Sequence, residues 1–394
     1  MNILFVIGSL EVGGAQSFLL RLASYLKQQG HNVFIYNIHP EKFDPQILSF
    51  LTTDVTIINA FYKSLEIKLS RLPLIAKIFR RIFKQRQFDT FSLNRFLRKN
   101  KIQVINSHLY LADLYLSKLQ LNPQIPLISS WHGCYNLLID DYQKKNVLDK
   151  LKSEAKKIFG HFSFIIFAAE KHKDAYEKLR LTLPYTKIYY GFSEPKNIKP
   201  ADFDKNNAFV FGLVARGDST KGWAEAIEAF KQVKQQTQQP VKLVLVGWSD
   251  FLAELKKQIS DPDIVFAGQT DNPLGWIYHF DVGLLPTYFP AESLPNSIIE
   301  YLAMGKPVIA TDWAEIPQMI DSPKGKAGIL IPLANGKPDI EAMADAMLNL
   351  IENKNLHLQL AKNTKFAFEK FSMERCAEEY LKIFQQVLSN PVID

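Results

Sequence analysis

The chain has few of the residues that mark a disulfide-rich, zinc-binding or membrane-spanning protein. Its 394 residues include two cysteines, Cys134 and Cys376, which form neither a disulfide framework nor a zinc-ligand spacing. The apolar opening, residues 2–10, lacks a basic leader and a small-residue cleavage site and ends at Glu11, so we expect no signal peptide. No apolar run is long enough to span a bilayer. We therefore expect a cytoplasmic protein with reduced thiols.

The composition is that of a globular protein with two domains. Hydrophobic residues make up 47% of the chain and charged residues 22%. The length exceeds that of a domain built around one hydrophobic core. Residues 1–200 hold 29 Lys and Arg against 15 Asp and Glu, whereas residues 201–394 hold 18 against 25. The basic N-terminal half predicts a partner that is anionic.

Short aliphatic or β-branched runs alternate with amphipathic stretches along most of the chain. This rhythm predicts mostly parallel sheets covered by helices on both faces. The polar segment 194–207 interrupts the rhythm with prolines and charges, so we place a linker there. We expect domains at 1–200 and 201–371, and a terminal helix within 372–394 that returns toward the first domain. The predicted strands are 3–7, 33–38, 55–58, 104–105, 127–129, 164–168, 187–190, 209–214, 241–246, 264–267, 282–285, 308–310 and 328–331.

The first strand is followed by a glycine-containing turn, residues 8–14, and by a helix predicted to begin near Ala15. Glycine allows a ligand to approach the backbone closely, and the N-terminus of a helix attracts anions. Gly14 is therefore a candidate ligand-binding residue. The dinucleotide fingerprint GxGxxG is absent, and a turn that only reverses the chain is the alternative.

Two cations follow the first predicted strand of the second domain. Arg216 stands at the carboxyl end of strand 209–214, and Lys221 stands just before the predicted helix 223–233. Open α/β sheets bind ligands at such strand ends. Arginine and lysine together suit a diphosphate. The alternative is a pair of solvated surface cations.

A second segment, residues 291–305, carries two glutamates with seven residues between them. Pro295 fits the first position of a helix, which puts Glu292 in the preceding loop and Glu300 about two turns into the helix. A carboxylate among apolar neighbours, like that of Glu300, can accept both hydroxyls of a ribose. The backbone N–H groups at a helix start can bind sugar hydroxyls or phosphate. The alternative is a capping carboxylate and a surface glutamate.

Three segments, in their order along the chain, resemble the retaining glycosyltransferases of family 4. They are Gly13–Gln16, Arg216 with Lys221, and Glu292 with Glu300. The resemblance covers nearly the whole chain. It implies the GT-B fold, two doubly wound Rossmann-like α/β domains facing each other across a donor-binding cleft. It also implies transfer of a sugar from a nucleotide sugar, with UDP favoured, to a glycan or lipid-linked acceptor such as a lipopolysaccharide, O-antigen or capsule precursor.

The resemblance also implies individual roles. Arg216 and Lys221 are expected to hold the donor diphosphate, Glu300 the ribose, and Glu292 to lie beside the transferred sugar. Ser129–Gly133 resembles the family's strand-end histidine segment, so His132 is expected to contact the donor sugar or its phosphate. His108 matches a second histidine, although a strand-end histidine is more often a core residue. The remaining expected donor-binding residues are Gly14, Thr270, Leu294, Pro295, Asn296 and Ser297.

The sequence departs from the family where a Gly-Gly-x-Pro-Glu stretch is frequent, since residues 312–317 here read DWAEIP. The two Asp-x-Asp triplets, 202–204 and 261–263, are predicted to be surface turns rather than metal ligands. The resemblance likewise implies transfer without a metal ion or other cofactor.

The segment 63–101 holds twelve basic residues against two acidic ones. Within it, Leu74–Lys84 places apolar residues on one helical face and cations on the other, a pattern typical of a helix at an anionic membrane surface. A core helix with a solvated basic face is the alternative. Nucleic acid is not expected, because the aromatic residues lie on the apolar face.

Two other functions stay open at this level. A sugar-nucleotide epimerase or a phosphorylase can share the fold. A non-catalytic partner subunit can share it as well, although the presence of Arg216, Lys221, Glu292 and Glu300 argues for an enzyme.

Overall fold

The computed structural model describes residues 1–70, 77 and 84–389, which form two compact units. The first unit contains residues 1–191 together with a helix at Met373–Ser389. The second unit contains residues 192–372. The polar segment placed as a linker belongs to the second unit, because Ala201 N donates to Gly275 O (3.0 Å) and Asn272 Nδ2 donates to Lys199 O (2.9 Å).

The first unit is built on a parallel sheet of seven strands in the order β3-β2-β1-β4-β5-β6-β7. The order reverses between β1 and β4, as in doubly wound folds. The strands are β1 (Asn2–Ile7), β2 (Asn32–Asn37), β3 (Thr56–Asn59), β4 (Val104–His108), β5 (Leu127–Trp131), β6 (Phe164–Phe167) and β7 (Tyr185–Lys187).

Helices connect these strands and cover the sheet on both faces. Leu4 and Val6 of β1 belong to one hydrophobic cluster with Leu93 and Trp131, whereas the ring of Phe5, which points the other way, lies 6.4 Å from that of Phe384. The helices are α1 (Gly14–Gln28), α2 (Phe61–Leu69), α3 (Gln85–Lys99), α4 (Tyr110–Ser117), α5 (Cys134–Lys144), α6 (Leu148–Phe159) and α7 (His172–Lys178), with a 3₁₀ segment at Pro45–Phe50.

The second unit repeats this architecture with six parallel strands in the order β10-β9-β8-β11-β12-β13 and a small antiparallel pair, β14 and β15. The strands are β8 (Phe209–Val214), β9 (Val241–Val246), β10 (Ile264–Gly268), β11 (Val282–Leu285), β12 (Val308–Thr311), β13 (Gly328–Ile331), β14 (Leu333–Ala334) and β15 (Lys337–Pro338). The helices are α8 (Trp223–Gln236), α9 (Asp250–Lys257), α10 (Pro273–Ile277), α11 (Asn296–Ala303), α12 (Ile316–Ile320), α13 (Ile340–Glu352) and α14 (Lys354–Phe368), with 3₁₀ turns at Ser219–Lys221 and Glu369–Phe371.

The C-terminal helix α15 (Met373–Ser389) is a structural part of the first unit. Its strongly amphipathic sequence buries Cys376, Tyr380 and Phe384. The Tyr380 hydroxyl lies 3.3 Å from Ser130 Oγ of β5, and its ring lies 6.1 Å from that of Phe18 in α1. Burial raises the pKa of the Cys376 thiol, so this residue is an inert core thiol.

Two predicted elements differ from the structure. The strand expected at 187–190 lies at Tyr185–Lys187. Ile188 N still donates to Phe167 O (2.9 Å) at the end of β6, and beyond it the Tyr190 hydroxyl bonds to His132. Pro295 is the N-cap of α11 rather than its first helical residue, with φ of −68° and an extended ψ of 120°.

No helix in the described part of the chain is long and apolar enough to cross a membrane. The amphipathic segment 74–84 lies outside the described residues except for Lys77 and Lys84, so its predicted helix stays a prediction.

Gly212 in the centre of β8 tests how tightly the second core is packed. A methyl group at this position would lie 2.1 Å from the buried ring of Phe280. We expect Gly212→Ala to lower the free energy of unfolding by about 1–3 kcal/mol, the usual cost of overpacking a core. Urea denaturation measures the change. Gly8→Ala is the matched control, since its added methyl would meet Leu111 Cβ at an ordinary 3.4 Å; equal losses in both variants would contradict this account.

Candidate functional sites

The second unit has a crevice where its strand order reverses, between β8 and β11. The loops that leave these two strands meet closely at Gly222, whose φ is +83°. A Cβ at this position would lie 2.1 Å from Pro286 O, so only glycine fits both the left-handed backbone and the space. Tyr288 N also donates to Thr220 O (2.9 Å). The two loops that carry the predicted cations and Glu292 are therefore joined.

Lys221 and Glu292 form a buried ion pair in this crevice. Each residue is only 6% exposed, and Lys221 Nζ donates to Glu292 Oε2. The 3₁₀ turn that ends at Lys221 is capped by the Asp218 carboxylate, which accepts from Thr220 N (2.9 Å). Thr287 Oγ1 lies 3.1 Å from Glu292 Oε2 and donates to it. The sequence placed both residues at the site but did not predict that they pair.

An aromatic ring lies beneath both predicted diphosphate ligands. The centre of the Phe289 ring is 4.6 Å from Lys221 Nζ and 5.6 Å from Arg216 Cζ, within the range of cation–π attraction. The Phe289 carbonyl accepts from Trp313 Nε1 (2.9 Å), which fixes the loop after β11 to the loop after β12. Arg216 itself is exposed to solvent.

Helix α11 places the second glutamate. Asn296 and Ser297 are its first residues, the buried Leu294 precedes the Pro295 cap, and Glu300 lies in the second turn, 7% exposed. The Tyr301 hydroxyl accepts from Val214 N (2.8 Å) and donates to Leu284 O (3.2 Å). Tyr301 thus attaches α11 to the ends of both β8 and β11.

Thr270 lies apart from this group. It follows β10, the edge strand that β9 separates from β8. Its hydroxyl accepts from Asn272 N (3.0 Å) and so shapes the local turn. Its expected role in donor binding stays a prediction.

The first unit has a polar cluster at the same end of its sheet, where β4 and β5 stop. His108 Nδ1 lies 2.8 Å from His132 Nε2, and His132 Nδ1 lies 2.7 Å from the Tyr190 hydroxyl. Burial lowers the pKa of His108 to about 3. Burial, with smaller effects of His108 and His172, holds the pKa of His132 well below its usual range. Both imidazoles are therefore neutral at physiological pH.

This geometry limits what His132 can do. Both of its ring nitrogens already have partners, so a contact with a donor sugar requires that one of these bonds be exchanged. His108 is fully buried, as expected for a core residue, but its Nε2 has no hydrogen-bond partner among the described residues. Phe18 of α1 stacks on Tyr190 at 4.5 Å and supports the cluster.

A buried acid bonds to Ser107, the strand residue that precedes His108. Asp113 in the first turn of α4 accepts from Ser107 Oγ and from the Tyr135 hydroxyl. Burial raises its pKa to about 8, and the bond from Ser107 opposes this only in part. The nearby glycine turn ends at Gly14, the first residue of α1, and Gly13 precedes it in extended conformation.

Sequence patterns did not reveal several of these residues. Phe289 and Thr287 lie just before the segment that carries the glutamates, and Tyr190 was placed in a strand. Asp113 gave no signal, because the hydroxyls that bond to it lie on other elements, Ser107 on β4 and Tyr135 on α5. Ala314 has a φ of +54° in the stretch where the family often has glycines.

The described residues hold no group of three or more His, Cys, Asp or Glu side chains that could bind a metal ion. In the triplet 261–263, both carboxylates bond to Lys234 Nζ, Asp261 at 2.8 Å and Asp263 at 2.7 Å. In the triplet 202–204, Asp204 accepts from Asn206 N.

Comparison with protein families identifies the family to which the chain belongs. Residues 12–191 match the model described as Glycosyltransferase Family 4, and residues 208–353 match the model described as Glycosyl transferases group 1. The protein belongs to the family 4 glycosyltransferases, whose GT-B architecture its two parallel-sheet domains share.

Its relatives include an uncharacterized glycosyltransferase of Methanocaldococcus jannaschii, 27% identical over 44% of this chain and 49% of that protein. The chain thus spans about half the length of the first relatives that it matches. A relative of full length is the GalNAc-alpha-(1->4)-GalNAc-alpha-(1->3)-diNAcBac-PP-undecaprenol alpha-1,4-N-acetyl-D-galactosaminyltransferase of Campylobacter jejuni. It is 23% identical over 98% of this chain and 99% of its own.

Solved structures confirm the fold. The crystal structure of Anabaena HepE in complex with UDP superimposes with a TM-score of 0.71, covering 98% of this chain and all of the other at 19% identity.

The neutral histidines predict a specific pH dependence. The pKa of His108 is about 3 in the folded protein and about 6.5 in the unfolded chain, so between these values only the unfolded chain binds the proton. Stability is therefore lost as the pH falls from 6.5 toward 3. Between pH 7 and pH 5, protonation of His108 in the unfolded chain lowers the free energy of unfolding by about 2 kcal/mol.

We expect His108→Asn to remove this part of the pH dependence, measured as the difference in urea-unfolding free energy at the two pH values. His161→Asn, a change at an exposed histidine of the same unit, is the control and keeps the wild-type slope. An unchanged slope in the His108 variant would show that this imidazole is protonated in the folded state.

Proposed function

We propose that the protein transfers a sugar from a UDP-sugar to a glycan or lipid-linked acceptor with retention of anomeric configuration. The observation that carries the proposal is the crevice between β8 and β11, where Lys221 and Arg216 share the Phe289 ring at the start of α8. Two cations beside a helix N-terminus suit a diphosphate. UDP is favoured because HepE, which has the same fold, was crystallised with it.

In this reaction the bond between the anomeric carbon and the β-phosphate oxygen breaks, and a bond from an acceptor oxygen to that carbon forms on the same face of the sugar. The acceptor proton passes to the departing diphosphate. Lys221 and Arg216 stabilise the negative charge that grows on the diphosphate. Glu300 binds the ribose, and Glu292 lies beside the transferred sugar.

Transfer without a metal ion is part of the proposal. The two cations supply the charge compensation that a divalent ion gives in other transferases. The carboxylates of residues 261 and 263 already bond to Lys234, which supports their role as a structural turn. Turnover in the presence of a chelator tests this point.

A lipid-linked acceptor is supported by the Campylobacter relative, whose name gives a glycan on diphospho-undecaprenol as its acceptor.

Helix α3 offers a surface for the membrane that would hold such an acceptor. Its exposed cations are Arg86, Arg95, Arg98 and Lys99, and its one acid, Asp89, is buried and accepts from Tyr62 N. Phe91 on the same helix is 65% exposed. A cavity of about 530 Å³ beside it is lined by Arg86, Gln87, Thr90, Phe91, Asn94, Arg98 and Gln120.

The donor site is tested by Lys221→Met and Arg216→Met. Each change removes a charge-assisted hydrogen bond to diphosphate, worth about 1.5–3 kcal/mol. We therefore expect the affinity for UDP and UDP-sugars to fall about ten- to a hundredfold, measured by titration calorimetry. Lys231→Met, a change at a partly exposed lysine of α8 paired with Glu228, is the control and leaves affinity unchanged. Wild-type affinity in both site variants would refute the assignment.

Membrane binding is tested by co-sedimentation with liposomes. We expect retention on vesicles containing anionic lipid at low salt and release as salt rises, because each cation near the surface contributes about 1 kcal/mol. Reversal of Arg86, Arg95 and Arg98 to Glu should weaken retention strongly.

The control for that experiment reverses three exposed lysines on α6 of the same unit, Lys150, Lys156 and Lys157. The same net charge is then removed from a different surface. Equal loss in both triple variants would show that overall charge, not the α3 surface, governs binding.

A further inference from the structure

The ammonium group that should bind the donor diphosphate is already occupied by an anion of the chain. Lys221 Nζ donates to Glu292 Oε2, and both side chains are buried. Under the proposed function these residues serve different parts of the donor, the phosphate and the sugar. A donor that reaches Lys221 must therefore separate the pair.

We propose that the Lys221–Glu292 pair is a specificity element that favours the intact sugar nucleotide over the nucleoside diphosphate product. When the donor binds, its diphosphate replaces the Glu292 carboxylate on Lys221, and Glu292 turns to the sugar hydroxyls. After transfer the sugar is gone, so Glu292 competes again for Lys221 and promotes release of the product. The inference rests on the proposed function and assigns this pair a role within it.

Electrostatics makes the exchange asymmetric between the two ligands. Separating a buried ion pair is costly unless each charged group obtains a new partner. Lys221 receives a phosphate oxygen from either ligand. Glu292 needs hydrogen-bond donors, which sugar hydroxyls supply and a nucleoside diphosphate without the sugar does not. The unsatisfied carboxylate therefore weakens binding of the product alone.

The surroundings of the pair allow the exchange without leaving other groups unpaired. The Thr287 hydroxyl has two acceptors in reach, Glu292 Oε2 at 3.1 Å and Thr220 O at 3.4 Å. Its single hydrogen can move to the carbonyl when Glu292 departs. The Phe289 ring stays beneath Lys221 Nζ at 4.6 Å whichever anion is bound.

The test is Glu292→Gln, which keeps the shape of the side chain and removes its charge. Calorimetric titration with UDP, and with the UDP-sugar that wild type binds most tightly from a panel, gives two affinities. We expect the variant to bind UDP about tenfold more tightly than wild type, because no carboxylate competes for Lys221. The affinity for the UDP-sugar should not rise, so the preference for the intact donor shrinks.

Glu225→Gln is the matched control. Glu225 is also buried in this unit, but its Oε1 accepts from the Tyr288 hydroxyl (3.2 Å) instead of from a lysine. Its neutralisation should leave both affinities at wild-type values. If Glu292→Gln binds UDP as weakly as wild type or more weakly, or if Glu225→Gln gives the same gain, the inference is overturned.

Circular dichroism establishes whether each variant folds. If Glu292→Gln does not, Thr287→Val decides the matter, since it removes the hydroxyl that holds Glu292 against Lys221. We expect it to tighten UDP binding at least twofold, and no gain would overturn the inference. Failure of the proposed function looks different, because wild type itself would then bind neither UDP nor any sugar nucleotide.

Discussion

The crossing of two loops at Gly222 is the constraint on which the site of the second unit depends. The backbone there has a positive φ and lies against Pro286 O with no room for a side chain. Because the loops after β8 and β11 touch at this point, Lys221 comes within hydrogen-bond reach of Glu292, 71 residues later in the chain. Phe289, on the same loop as Glu292, then lies beneath both cations. A larger residue at position 222 would separate all of these groups together.

In the first unit the candidate site residues also lie at strand ends, but they are neutral instead of charged. Pairing of β4 with β5 places His108 opposite Ser130, and His132 follows directly on the end of β5. Deep burial then removes the charge from both imidazoles and raises the pKa of Asp113 to about 8. The cluster therefore acts through neutral hydrogen bonds at physiological pH. The charged residues of the candidate donor site, Lys221, Arg216 and Glu292, lie instead in the second unit, where the proposed diphosphate would bind.

The sequence predicted the elements well and the contacts between them poorly. Buried parallel strands are continuous apolar runs, so most could be located from the pattern of residues along the chain. The edge strand β7 was misplaced because Ile188 and Tyr190 are buried although they lie beyond the end of the strand. The glutamates at 292 and 300 were recognised from their spacing. The partners of the site residues could not be predicted. The Lys221–Glu292 and His132–Tyr190 pairs join residues far apart in the chain, and local patterns carry no information about such contacts.

Burial also explains why, among the described residues, Lys221 forms an ion pair with a carboxylate and Arg216 does not. Arg216 is exposed, so water can solvate its guanidinium at little cost. Lys221 is almost fully buried, and a buried ammonium without a counter-ion would be strongly destabilising. A protein that keeps a lysine in this position must therefore provide an internal anion, and Glu292 is the carboxylate that the joined loops place there. Under the proposed function, the burial that strengthens a contact between Lys221 and phosphate also requires a competing anion at its side, so the ion pair would link the stability of the protein to its preference for the donor.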